Sequence, residues 1–261
     1  MKIKLHPAER SIQSAAVRDH FIEQNGELLV IQNFIRPDSR VFDVGACIGG
    51  WTQSVLDHFA SRALEIHLFE PVPASYHTLL GNLSAAAAAS SLVFNHAAVA
   101  GQEGTQWFFH YESASVLSTL HRRYEAEKAY GIPAPKSFPV RTITLDRYCS
   151  GKQIERIDFL KIDTEGGEFN VLRGAERLLA SGGIEYVQFE YGGTYLDART
   201  TLREVYEFLR RYRYEIYKIV PDGLIYLPQF DPSYEDYQYS NFLAVRQEIS
   251  EALRQKGGHF A

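Results

Sequence analysis

The sequence predicts an α/β fold: a mostly parallel sheet with helices on both faces, closed by a C-terminal antiparallel hairpin. Three observations carry this. Short apolar runs alternate with helical patterns from residue 41 to about residue 211. The runs are continuously apolar rather than alternating, as expected of strands buried on both faces. The last third holds strand-like runs joined by Pro-Asp-Gly and polar turns without an intervening helix, and such short connections suit antiparallel neighbours, since parallel ones need a crossover.

Taken in order, residues 11–36 read as helical, with Ile12, Ala16 and Phe21 at roughly helical spacing, a break near Gly26 and a stop at Pro37. Residues 41–44 form a short buried strand, followed by a glycine-rich turn and a helix over 51–59. Residues 65–69 make a second strand, after which Pro71 and Pro73 open a helix to about Leu83, extended by the alanines 85–89. Further strands are expected over 92–95, 157–162 and 184–189, a helix over 201–211, and closing strands over 212–219, 224–227 and 241–246. Residues 101–140 interrupt the alternation, with strand-like 106–111 and 140–145 around a helical 118–130. The block is a candidate lid or recognition insert; a decorated crossover that only packs is the alternative. The expected organisation is an N-terminal helical extension over 1–40 and a main domain over 41–261 with an insert at about 101–140.

Composition narrows the function classes. The chain has 261 residues, 45% apolar and 23% charged, with a formal net charge of -5; this is a globular mixture of one generous domain or two small ones. A mildly acidic chain gives no support to nucleic-acid binding. Two cysteines, Cys47 and Cys149, suffice for neither a disulfide framework nor a four-cysteine zinc site. The N-terminal MKIKLHPAER has no apolar h-region, and no run approaches the ~18 apolar residues of a membrane span. A soluble, cytoplasmic protein is the expectation.

The segment VFDVGACIGG sets Asp43, Gly45, Gly49 and Gly50 between a strand and a helix. Glycine permits positive φ and close approach of a ligand, and a helix N-terminus offers free N–H groups. A dinucleotide fingerprint needs a second glycine where the pyrophosphate lies against the backbone; here that position is Cys47. The spacing fits a ligand without a pyrophosphate, such as S-adenosylmethionine. Cys47 reads as a small wall residue. The second strand ends in Phe69-Glu70-Pro71, where an acid can accept hydrogen bonds from both ribose hydroxyls of an adenosine. Pro71 and Val72 then border the adenine, with Asn95 to Ala98, including Ala97, on its other side.

The segment IDFLKIDTEGGEFNVLRGAERLL puts Asp163 and Glu165 at the carboxyl end of the fourth strand, where open α/β sheets bind ligands. Glu190 ends the fifth strand in the same way, so Asp163, Glu165 and Glu190 are expected to converge. Such a trio suits a general base or a hard divalent cation, although no dedicated ligand spacing supports a metal. Glu165 and Glu168 also fit the first turn of a helix, where acids complement the macrodipole. Lys161, inside an apolar strand, reads as a neutralising partner for an acid.

These segments resemble the FkbM family of S-adenosylmethionine-dependent methyltransferases. VFDVGACIGGWT, LFEPVPASYHTLLGNL, FNHAAVAGQEG, VRTITLDRYC and above all DFLKIDTEGGEFNVLRGAERLL carry the likeness, over about residues 41–211 with an echo in NFLAV. The resemblance implies a class I methyltransferase (Rossmann-like) fold with a seven-stranded sheet, and O-methylation, often of sugar hydroxyls in polysaccharides, glycolipids or glycosylated natural products. It also implies cofactor contacts at Asp43, Gly45 and Gly49, a ribose acid at Glu70, and a strand-four signature at Asp163 and Glu165. Family members usually carry Asn at the position of Cys47.

The expected chemistry is in-line displacement at the sulfonium, with Asp163 as first candidate for the base and Glu165 and Glu190 behind it. His96 and His110 are candidate assistants, each more simply read as structural. Most of the 16 tyrosines lie between Tyr186 and Tyr239, where strand propensity explains them and a sugar-stacking wall is the functional alternative. A small-molecule or glycan acceptor is expected. The alternatives are an NAD-dependent oxidoreductase, which would want the glycine that Cys47 replaces, and a non-catalytic scaffold.

Overall fold

The computed structural model describes residues 4–6, 22, 24–59, 63–84, 90–111 and 118–255. Two sheets are present among them. The central one is built from β1 (Lys4–His6), β2 (Arg40–Val44), β3 (Glu65–Phe69), β4 (Ser91–Asn95), β8 (Ile157–Ile162), β9 (Ile184–Tyr191), β10 (Tyr214–Val220), β11 (Gly223–Leu227) and β12 (Ser240–Arg246). Its order is β1-β11-β10-β12-β9-β8-β2-β3-β4. The strands from β9 through β4 are mutually parallel; β12 is antiparallel to β9, and β10 is antiparallel in turn to β12. The sheet thus has nine strands where the resemblance implied seven: β11, the strand expected over 224–227, makes the hairpin with β10, and β1, which was not expected, pairs parallel to β11 at the edge.

The parallel strands carry continuous apolar runs because both faces are covered. On one face Phe42, Leu160 and Val187 pack with Leu172, Leu178 and Leu209, which lie on or beside α6 (Glu168–Arg173), α7 (Glu176–Ala180) and α9 (Leu202–Arg211). The adjacent residues Val41, Phe159 and Tyr186 point the other way, onto α1 (Glu27–Phe34), α2 (Gly50–His58) and α3 (Pro73–Leu83). The period of two along a strand thus feeds two helical layers rather than one layer and solvent. The remaining helices are α4 (Tyr124–Tyr130), α5 (Leu145–Lys152), α8 (Thr194–Ala198) and α10 (Gln247–Gln255). None of the described helices is long and apolar enough to cross a membrane.

The block over 101–140 contributes β6 (Gly104–His110) and β7 (Lys136–Ile143), which with β5 (Ala98–Val99) form a separate three-stranded sheet. The helix expected over 118–130 is shorter. Thr119 forms an antiparallel bridge with Phe109, and α4 begins only at Tyr124. Of the helix expected over 11–36, only α1 falls among the described residues; the run 85–89 lies outside them.

Candidate active site

The strand order reverses between β2 and β8: from β2 the chain builds outward through β3 and β4, and later from β8 through β9. A crevice at the carboxyl ends of the strands is the geometric result of such a reversal. The cavity there is lined by Gly45 and Cys47 from the loop after β2, by Glu70, Pro71, Val72 and Ser75 after β3, and by Ala97, Ala98 and Val99 after β4. Asp163, Thr164, Glu165 and Gly167 close it after β8, and Phe108, Ser118 and Leu120 of the insert form a further wall.

The loop after β2 is fixed by backbone demands. Gly45 has φ 86°, and a Cβ there would stand 1.8 Å from the carbonyl oxygen of Asp163. The N–H groups of Gly45 and Ala46 both donate to the carbonyl of Phe69, at 3.0 Å each. Cys47 takes φ 49°, and its N–H donates to Glu70 Oε2 at 2.9 Å. The other Glu70 oxygen accepts from the N–H of Val72 at 2.7 Å. Burial pushes the Glu70 carboxyl up to about 7 and the Cys47 thiol up to about 11, so that thiol is an inert wall near neutral pH.

Not every expected contact faces the cavity. Asp43 is 2% exposed, lies behind the loop and accepts from Thr52 Oγ1 at 2.6 Å; it pins α2 to β2, and burial raises its carboxyl to about 6. Gly49, with φ 93°, is the N-cap of α2 and packs on Leu79. Asn95 turns its amide to the carbonyls of Leu68 and Val93, at 3.0 and 3.1 Å. His96 stacks on Tyr76 at 4.6 Å, and His110 Nδ1 meets Ser118 Oγ at 3.0 Å.

The carboxylates do converge. One oxygen each from Asp163, Glu165 and Glu190 lies within 4.8 Å of the others, and the Asp163 and Glu190 carboxyls share a hydrogen bond. Glu165 holds φ 56°, ahead of Gly166, whose Cβ would approach the Thr194 carbonyl to 2.8 Å. Burial, then the neighbouring Asp163, pushes Glu165 up to about 8 and Glu190 well above the ordinary carboxylate range. Glu168, the first residue of α6, ties the helix back to the preceding loop, its Oε1 accepting from Thr164 N and Oγ1 at 2.8 and 2.9 Å.

The separations would admit a divalent cation, but two cations of the chain already answer the acids. Lys161 Nζ lies 3.2 Å from Asp163 Oδ2, and Arg123 Nη1 lies 3.3 Å from Glu165 Oε2. Each cation is shared with a further acid, Lys161 with Glu27 at 3.3 Å and Arg123 with Asp197 at 3.8 Å, so together they offset part of the trio's charge. Arg123 and the walls Phe108, Ser118 and Leu120 were not marked by any motif. Their signal was positional only, in that the insert broke a regular alternation.

The model of the methyltransferase FkbM domain matches residues 43–216. No curated protein matches the sequence at significant similarity. Among solved structures, a methyltransferase FkbM from Methylobacillus flagellatus KT is 16% identical, with a TM-score of 0.49, over 80% of this chain and 44% of that one. This chain thus spans less than half of that protein. A SAM-dependent O-methyltransferase from Thermotoga maritima is 11% identical, with a TM-score of 0.45, over 85% and 64% of the two chains. The fibrillarin of Aeropyrum pernix, with natively bound S-adenosyl-L-methionine, is 16% identical, with a TM-score of 0.40, over 91% and 76%. It is the family model that carries the assignment.

Proposed function

The chain belongs to the FkbM family of S-adenosylmethionine-dependent methyltransferases, and from that premise we propose that it transfers the methyl group to a hydroxyl of a sugar, glycan or glycosylated natural product. In this reading residues 41–261 form the methyltransferase domain, the block at about 101–140 is the insert that faces the acceptor, and the N-terminal 1–40, expected as a helical extension, instead adds the strand β1 to the sheet edge and the helix α1 to its face. The observation that carries the hydroxyl acceptor is the acid trio beside the Gly45 loop, because a hydroxyl needs its proton removed as the methyl arrives and a thioether or carbanion acceptor does not.

The residues fit the cofactor. Glu70 already organises the loop through Cys47 N–H and Val72 N–H and stands where a ribose would offer its hydroxyls. Pro71, Val72 and Ala97 supply apolar walls for a purine. When bound, S-adenosylmethionine supplies an electrophilic methyl on a sulfonium, so the protein's work is orientation and proton removal.

Asp163 is the base in this reading. It lines the cavity, and Lys161 beside it favours its charged form. Glu190, hydrogen-bonded to Asp163, carries the proton of that contact. Glu165 lies on the same cavity wall under Arg123 and can relay the acceptor's proton toward solvent.

Incubation with methyl-labelled S-adenosylmethionine and a panel of glycans and glycosylated natural products, with and without a chelator, tests the reading. The expected result is an O-methylated product whose yield the chelator leaves unchanged. Tighter binding of NAD than of S-adenosylmethionine would replace it with the oxidoreductase. Cofactor affinity without turnover on any acceptor would favour the scaffold, and label in an added RNA would move the acceptor class to nucleic acid.

A further inference from the structure

Lys161 is the penultimate residue of β8, between the core residues Leu160 and Ile162, with its side chain 3% exposed. A buried ammonium costs several kcal/mol unless it is well paired. This one is paired twice, 3.2 Å from Asp163 Oδ2 and 3.3 Å from Glu27 Oε2.

Glu27 is itself a built feature. It opens α1 and is 6% exposed. Its Oε1 accepts from Asn25 Nδ2 at 2.7 Å and from Asn241 Nδ2 at 3.2 Å, and its Oε2 from Gln188 Nε2 at 2.5 Å. Its N–H donates to Asn25 Oδ1 at 2.9 Å. The approach depends on Gly26, which has φ 94° and where a Cβ would stand 2.3 Å from the carbonyl oxygen of Val220. Three strands distant in sequence, β8, β9 and β12, thus converge with the neighbouring Asn25 on one carboxylate, and that carboxylate answers one ammonium. Were Lys161 only a structural element, an apolar side chain would fill the same core position at less desolvation cost.

The ammonium ends on the acid that faces the cavity. Asp163 is surrounded by Glu165 on its own loop, Glu168 on α6, Glu190 on β9, Tyr239 ahead of β12, and Asp43 and Cys47 around the end of β2. Arg123 stands beyond, on Glu165. Every group in that ring except Arg123 bears negative charge or none, and together they disfavour a carboxylate at Asp163. Lys161 is the cation in direct contact with it.

We propose that the Glu27–Lys161 pair is a positioning device for the base: Lys161 fixes the Asp163 side chain and keeps it a carboxylate among its acidic neighbours. Glu27 is brought in from outside the family-matched residues 43–216. It anchors the ammonium and tempers its charge, so that Asp163 remains basic enough to take a proton. The inference rests on the methyl-transfer reading.

Two nucleosides test it without an acceptor. S-adenosylmethionine and S-adenosylhomocysteine differ in the sulfonium charge, so the ratio of their Kd values, measured by calorimetry from pH 5 to pH 9, reports when the acids that line the cavity, Asp163 with Glu165 and Glu70, become anions. Preference for the sulfonium appears above a midpoint. Lys161→Met is expected to move that midpoint up by about 1–3 pH units, the effect of losing an opposite charge at contact distance. Glu27→Gln is expected to move it down, because a negative charge leaves the cluster and Lys161 is left to Asp163 alone. Lys161→Arg should return the midpoint toward that of the unaltered protein. A purely structural pair would move both variants together or neither, and either outcome overturns the proposal. Should Lys161→Met fail to fold, the isosteric Glu27→Gln decides alone: a midpoint unchanged or raised overturns it. If the unaltered protein binds neither nucleoside, the methyl-transfer reading has failed and the inference falls with it; binding with an unmoved midpoint defeats the positioning role only.

Discussion

The carboxylate of Glu70, at the end of β3, accepts the backbone N–H of Cys47, in the turn after β2, at 2.9 Å. One acid therefore holds the glycine-rich loop in shape and offers its remaining lone pairs to the cavity. Glu70→Gln keeps the size and removes the charge. Charge-assisted hydrogen bonds are worth about 1.5–3 kcal/mol, so S-adenosylmethionine affinity is expected to fall about 10- to 100-fold in calorimetry. An affinity within twofold of the unaltered protein would remove Glu70 from the cofactor site.

Gly45→Ala tests the loop from the other side. The φ of 86° and the 1.8 Å approach of a Cβ to the Asp163 carbonyl oxygen leave the new methyl no room, since backbone rather than a side-chain end must yield. Left-handed strain alone costs about 1–3 kcal/mol, and separation of β2 from β8 adds to it. A thermal melt should show a clear fall in Tm together with loss of cofactor binding.

Asp163→Asn separates chemistry from binding. The amide keeps a polar group beside Lys161 but cannot take a proton. A positioned base contributes about 10²–10⁴-fold, and transfer is expected to fall by that order while Kd for S-adenosylmethionine changes less than about tenfold. Turnover at the original rate would transfer the role to Glu165 or Glu190.

The buried acids also set the pH dependence of stability. Glu70 and Glu168 are pushed up to about 7 and Glu165 to about 8, from a value of 4.5 in the free side chain, with burial the leading cause. Between about pH 4.5 and 8 the folded protein holds protons that the unfolded chain has released, so this contribution to stability is full at the acid end and is lost as pH rises. The Tm of the ligand-free protein is expected to fall from pH 5 to pH 8. The stabilisation added by S-adenosylmethionine should grow over the same range, as its cationic sulfonium meets acids that have become anions. Differential scanning fluorimetry with and without the cofactor checks both slopes.

Much of this was legible in the chain, for identifiable reasons. The strands β3 and β8 begin and end where the apolar runs do, because both faces of a parallel sheet demand apolar side chains. The convergence of Asp163, Glu165 and Glu190 followed from their common place at strand ends. Asp43 was harder: its position at a strand end suggests a ligand contact, but the hydroxyl of Thr52, in the first turn of α2, donates to its carboxylate. The helix expected over 118–130 starts late because Thr119 finds a strand partner in Phe109, a pairing that no local pattern announces. Glu27 was invisible, since nothing near it in sequence reveals that it meets Lys161 and Asn241.

The bond from Asn241 to Glu27 joins residues 214 positions apart. During synthesis the crevice at the ends of β2, β3 and β8 is encoded before β12 emerges, yet the clasp around the buried ammonium waits for that strand. A ribosome-bound chain that has released only its first 216 residues carries the whole of the matched region and still lacks one of the donors that seat Glu27. The clasp around Glu27 therefore closes only once β12 has emerged, and a proteolytic cut ahead of β12 is expected to loosen it from a place far away in the sequence.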